Sequence, residues 1–121
     1  MNVRVWASRN PRETFDRLQS LPEGLVDPAH YQVLWESWTR PDPEEASAIL
    51  LGMPPGAHRD GAIQGLLAQI ALGSRVVIPD FEAAWQWAGD LTDPQLRRNL
   101  MEEVASHWRK TDPEAASKAL D

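Results

Sequence analysis

Three histidines, His30, His58 and His107, are the side chains best suited to proton transfer or metal binding near neutral pH. None stands in the His-Glu-x-x-His spacing that sets two imidazoles on one helical face, and the chain has no cysteine to complete a zinc set. The acidic pairs Glu44-Glu45 and Glu102-Glu103 occupy consecutive positions, which on a helix point about 100° apart and so cannot act as one acid and one base on a shared substrate. Gly52, Gly56, Gly61 and Gly65 lack the Lys-Ser/Thr ending that a phosphate-cradling loop requires. The residues therefore predict no catalytic set, no metal site and no cofactor. The chemistry left is recognition, and six tryptophans in 121 residues supply its raw material.

Charge narrows the class of partner. A formal net charge of −6, with twelve basic residues scattered along the chain, argues against nucleic acid, because phosphate neutralisation needs clustered Lys and Arg. The tight pair Arg97-Arg98 is followed by Met101 and Glu102-Glu103 and reads as a solvated helix surface. The longest apolar stretch, around Leu66 to Leu72, is interrupted by Gln69 and too short to cross a bilayer. The N-terminus lacks the apolar core of a signal peptide, so the expectation is a cytoplasmic protein with no membrane partner. At 42% hydrophobic and 25% charged residues, the composition is that of one globular domain, despite ten prolines.

Those prolines point to the elements that must hold any binding surface. Asn10-Pro11-Arg12-Glu13, Asp42-Pro43-Glu44-Glu45, Asp80-Phe81-Glu82-Ala83 and Asp112-Pro113-Glu114-Ala115 each join a capping residue to a first helical turn. The cap oxygen accepts from orphan amides, proline has no amide to leave unpaired, and early glutamate complements the positive helix end. From each cap, an apolar stripe recurs at the fourth, seventh, eighth and eleventh positions: Ala46, Ile49, Leu50 and Met53 in the second copy, Ala84, Trp87, Ala88 and Leu91 in the third. The first copy, with Thr14, Arg17, Leu18 and Leu21, has a more solvated face. After a Gly- and Pro-containing turn a second helix follows, and the same offsets align Tyr31, Leu34, Trp35 and Trp38 with Ile63, Leu66, Leu67 and Ile70, and with Met101, Val104, Ala105 and Trp108.

The spacing between caps is 32, 38 and 32 residues. The six extra residues fall after Ile70. The reading is an all-α domain spanning 1–121, with a half repeat at 1–9, repeats at 10–41, 42–79 and 80–111, and a half repeat at 112–121. Its two ragged ends suggest a fragment or relic of a longer array.

Trp6, Trp38 and Trp108 share one repeat position at the end of the second helix and are expected in the core, as are Trp35 and Trp87. His30 aligns with Ala62 and Leu100, near a core face; His58 is expected in a turn and His107 on the surface beside Trp108. Phe15 and Trp85 differ. Both stand five residues after a cap, where the other copies carry Ser47 and Ser117, so the position tolerates solvent and an aromatic there can anchor a partner. Insertions in stacked repeats tend to lie on one face, often the binding face, which adds Arg75, Val76 and Val77. These five residues form the expected partner-binding set.

The pattern Trp-x-x-x-Asp-Pro-x-x-Ala, at Trp38 to Ala46 and Trp108 to Ala116, followed by a second helix after an Arg-Asp or Leu-Arg-Arg start, resembles tandem helix-turn-helix repeats of large bacterial proteins, broadly of the tetratricopeptide or HEAT-like superclass. The tetratricopeptide order of Trp, Leu-Gly, Tyr, Ala and Phe is absent. The resemblance implies a right-handed α-α solenoid of about three repeats that recognises a protein or peptide and has no active site. Acidic rims suggest a basic partner. Two alternatives follow from the same residues: self-assembly through the terminal half repeats, motivated by an exposed stripe of Ala116, Ala119 and Leu120, or a small acidic inhibitor that mimics nucleic acid.

Overall fold

Caps of one geometry start the helices. A computed structural model of the chain describes residues 2–73, 76 and 78–120, and among these all regular structure is helical. The eight α-helices are α1 (Val3–Arg9), α2 (Pro11–Ser20), α3 (Pro28–Trp38), α4 (Pro43–Leu51), α5 (Ala57–Leu67), α6 (Phe81–Gly89), α7 (Pro94–Thr111) and α8 (Pro113–Leu120). A 3-10 turn, Glu23–Leu25, precedes α3, and a π-helical segment, Ala68–Leu72, follows α5. No helix among the described residues is long and apolar enough to cross a membrane.

At Asn10, Asp42, Asp80 and Asp112 the side-chain Oδ1 accepts from the amide three residues on, at 3.0, 3.1, 3.1 and 3.1 Å. Asp93 caps α7 in the same way, accepting from Gln95 and Leu96. Pro11, Pro28, Pro43, Pro94 and Pro113 each occupy the first helical position, where a missing N–H costs nothing. Half of the prolines thus begin helices, which is how a proline-rich chain remains helical.

The chain divides into two compact units, Met1–Leu66 and Leu67–Asp121. The first is built on an aromatic cluster. Phe15 of α2 meets Tyr31, Trp35 and Trp38 of α3 with ring centroids 6.5, 5.8 and 6.1 Å away, and Trp35 and Trp38 are themselves 5.2 Å apart. Trp35 and Trp38 are fully buried, and the Trp35 indole N–H donates to the Ala46 carbonyl of α4 at 3.0 Å, so the ring is satisfied at its polar end as well as covered. Gly61 and Gly65, one turn apart on α5, press against α3: a Cβ at Gly61 would collide with the Pro28 carbonyl, and one at Gly65 with the Gln32 carbonyl and, at 3.0 Å, with Trp35. Two missing side chains set the approach of α5 to α3.

The second unit packs α6 against α7 and α7 against α8, with Phe81 and Trp108 stacked at 6.0 Å between ring centroids. Val104, Ala84, Ala88, Leu91 and Ala116 lie in its interior. Several expected placements need correction. Trp87 is half-buried, because its neighbours Ala84 and Ala88 face the interior more directly. Trp6 is also half-buried; the Arg17 guanidinium lies over its ring, 4.6 Å from the centroid, in place of an apolar neighbour. Ala116 is fully buried by the packing of α8 on α7, so the stripe expected to be exposed at Ala116, Ala119 and Leu120 is open only at Ala119 and partly at Leu120.

Candidate functional site

The histidines act in local structure. His30 stands at the third position of α3, and its Nδ1 accepts from the Asp27 amide at 2.9 Å, so the ring turns back to cap the helix instead of entering the core. His58 lies in the first turn of α5, not in a loop; it stacks on Tyr31 with centroids 5.0 Å apart and donates from Nε2 to the Val26 carbonyl at 3.1 Å. His107 Nδ1 donates to the Glu103 carbonyl one turn earlier. Among the described residues no three His, Cys, Asp or Glu side chains gather where a metal ion could sit.

Of the five expected partner-binding residues, Phe15 belongs to the first unit and Trp85 and Val76 to the second. Phe15 is half-buried in the aromatic cluster of the first unit, in T-shaped pairs with Tyr31 and Trp35 and tilted against Trp38. Trp85 lies in the second unit, half-buried, on α6. Val76 is half-buried, and Arg75 and Val77 lie outside the described residues.

Trp85 is where a site forms. It borders a groove of about 880 Å³ that runs the length of α7, with Leu120 of α8 also on its wall. The groove's apolar lining comes from Met101 and Ala105, one turn apart on α7, together with Trp85 and Leu120. The ends are cationic. Arg97 and Arg98 stand near the start of α7 and Arg109 and Lys110 near its finish, while Glu102 and Ser106 are the polar side chains between them. Nine of the eleven lining residues come from one broad face of α7, at 94, 97–98, 101–102, 105–106 and 109–110, a recurrence every three to four residues. The Arg97 guanidinium is fixed by donating from Nη1 to the Leu91 carbonyl at 3.2 Å. Trp85 also borders a second depression of about 440 Å³, shared with Trp108, Ala115 and Ala119.

Four cations against one carboxylate make this groove locally positive within a chain of net charge −6. The sequence alone reads Arg97-Arg98 as a solvated surface, and their convergence with Arg109 and Lys110, three turns away on the helix, is not part of that reading. The signal lies in the 11-residue offset from Arg98 to Arg109, which at 3.6 residues per turn returns to within about 20° of the same direction. Chemically, an apolar floor with a half-exposed indole wall and cationic ends can hold a ligand that buries apolar groups in its middle and presents negative charge at its ends. No protein-family profile, curated protein or solved structure matches this chain.

Proposed function

We propose that the chain is a protein- or peptide-binding module built from successive helical hairpins, of the α-solenoid kind to which tetratricopeptide and HEAT-like repeats belong, and that it binds through the second unit. The observation that carries this reading is the groove along α7, whose lining joins the half-exposed Trp85 to Met101 and Ala105 with basic side chains at both ends of the helix. Exposed aromatics over an apolar floor are the usual anchors of recognition surfaces, and a volume of about 880 Å³ falls in the range of ligand clefts. The hairpin reading draws support from the recurrence of one cap geometry at Asn10, Asp42, Asp80 and Asp112, whose ψ angles span only 76 to 93°. In this reading Trp85 is the anchor, whereas Phe15 serves the interior of the first unit.

The test is selection of displayed random peptides against the folded protein, with each enriched peptide re-measured on Trp85→Ala. Enrichment that depends on Trp85 supports binding through this unit. A library that yields no peptide above background, or only peptides indifferent to Trp85, rejects it.

A further inference from the structure

We propose that the groove along α7 takes an acidic–apolar–acidic peptide segment, one whose carboxylates lie at its two ends and whose middle is apolar. This rests on the peptide-binding reading and fixes the chemistry of its ligand.

Charge and spacing along α7 define the ligand. Arg97 and Arg109 are 12 residues apart on α7, which at about 1.5 Å per residue separates the two cationic ends by about 18 Å. Between them the floor offers Met101 and Ala105, and the one charge in that middle stretch, Glu102, is negative. A carboxylate placed mid-groove would meet Glu102 and lose hydration against the methionine, whereas one at either end meets arginine or lysine. An apolar side chain shows the opposite preference, since Met101 and Ala105, with Trp85 and Leu120, supply the apolar part of the lining. Spanning about 18 Å takes five or six residues of extended peptide at about 3.3 Å each, or three turns of helix. Arg98 and Lys110 are both exposed, so their side chains can follow a ligand's termini.

The same pattern disfavours a polynucleotide strand, the other anion with flat apolar groups. Its phosphates are evenly spaced, so at least one would fall opposite Glu102 over the apolar floor, and the chain's net charge of −6 repels a polyanion at long range. A basic peptide, which the overall charge alone would favour, meets four like charges here.

The experiment is a fluorescence-anisotropy titration of the whole chain with four labelled probes. They are Glu-Glu-Leu-Ser-Phe-Leu-Glu-Glu, an isomer with its glutamates in the centre, the same peptide with lysine for glutamate, and an oligothymidylate of similar length. The acidic-ended peptide should bind about tenfold or more tighter than its isomer, weaken as salt rises, and lose about tenfold or more on the double charge reversal Arg98→Glu with Lys110→Glu. The neutral pair Arg98→Gln with Lys110→Gln, which retains the side-chain stems, should lose an intermediate amount with an unchanged circular dichroism spectrum. Equal or tighter binding of the isomer or the lysine peptide overturns the proposal but leaves the module a peptide binder. Preference for the oligothymidylate overturns both. Failure of all four probes overturns the ligand chemistry, and the display selection then decides the peptide-binding reading separately.

Discussion

The backbone amide of Asp80 donates to the carbonyl of Ile70 at 2.8 Å, across ten residues of chain. At the three comparable caps the same amide reaches back only four residues: Asn10 to Trp6 at 2.9 Å, Asp42 to Trp38 at 3.1 Å and Asp112 to Trp108 at 2.8 Å. The start of α6 is thus tied to the preceding π-helical segment by the bond used elsewhere, with six more residues of chain between the two partners. Gly73 ends the π-helical segment, where a Cβ would collide with the Ala68 carbonyl.

Deleting residues 71–76 should therefore leave a folded protein. The deletion joins Ile70 to Val77-Ile78-Pro79-Asp80, which matches Trp38-Thr39-Arg40-Pro41-Asp42 in length and in the place of its proline. The Asp80 amide then reaches Ile70 as an ordinary bond between residues four apart. The buried methyl of Ala71 is lost and a long closure is shortened, two effects of about 1 kcal/mol each and of opposite sign. Helical circular dichroism within a few per cent of the parent, and a thermal midpoint close to it, is the expected result. Loss of cooperative unfolding would show that the second unit depends on this segment.

Gly61 and Gly65 supply a second prediction. Alanine at either position drives a Cβ into the backbone of α3, which cannot yield as a side chain can, so each substitution should cost about 2–3 kcal/mol in denaturant unfolding, at the upper end for overpacking. Gly89, the last residue of α6, has a negative φ and open space where a methyl would stand, with no neighbouring atom within 4 Å. Gly89→Ala should instead stabilise by about 0.5 kcal/mol through helix propensity and a less free unfolded chain. Similar costs at all three sites would mean that close approach of α5 to α3 is not what the glycines serve.

Tyr31 gives a pH dependence whose sign is fixed. Burial raises its phenol above the ordinary value of 10.0, against a smaller lowering by the hydrogen bond that Gln19 Nε2 donates to its oxygen at 3.0 Å. A raised folded pKa means that the folded state holds the proton more tightly, so the associated stability is complete below pH 10 and is lost as pH climbs through the folded value. Unfolding free energy measured from about pH 8 to 11 should fall, and Tyr31→Phe should flatten that fall while costing about 1 kcal/mol at the lower pH for the lost hydrogen bond. An alkaline slope that Tyr31→Phe leaves unchanged assigns the effect to lysine titration.

How far these features are legible in the sequence varies with the distance over which the determining physics acts. The caps are local: an Asp-Pro pair and an early glutamate fix the first turn whatever surrounds it, and all four expected starts carry the expected bond. The stripes are legible for the same reason, and Leu50, Leu66 and Val104 are fully buried. What escapes depends on neighbours brought close by folding. Trp6 and Trp38 have one repeat position, yet Arg17 covers the first and an aromatic cluster the second. Gly61 and Gly65 show in the sequence only that no phosphate-cradling loop is present; the proximity of α3 reveals that they make room for it. The cationic ends of the groove are hidden by net charge, which averages over surfaces and so conceals a positive stripe within an acidic chain.

Phe15 and Trp85, which share a repeat position with Ser47 and Ser117, give the sharpest contrast. Phe15 packs in edge-to-face pairs with Tyr31 and Trp35 and tilted against Trp38, so Phe15→Ser removes a ring from a closed cluster and should cost about 2–4 kcal/mol, somewhat below a fully buried phenylalanine because the side chain is half-exposed. Trp85 borders open grooves on two sides, and serine already stands at the matching place in α4 and α8. Trp85→Ser should cost under about 1 kcal/mol in unfolding while weakening the acidic-ended peptide by tenfold or more, since a lost anchor of this kind is worth about 2 kcal/mol of binding. Unfolding and anisotropy measured on the same two preparations separate the roles: one substitution should move the melt and the other the titration. If Trp85→Ser destabilises as much as Phe15→Ser and leaves peptide affinity unchanged, the indole belongs to the interior of its unit and the groove has no anchor.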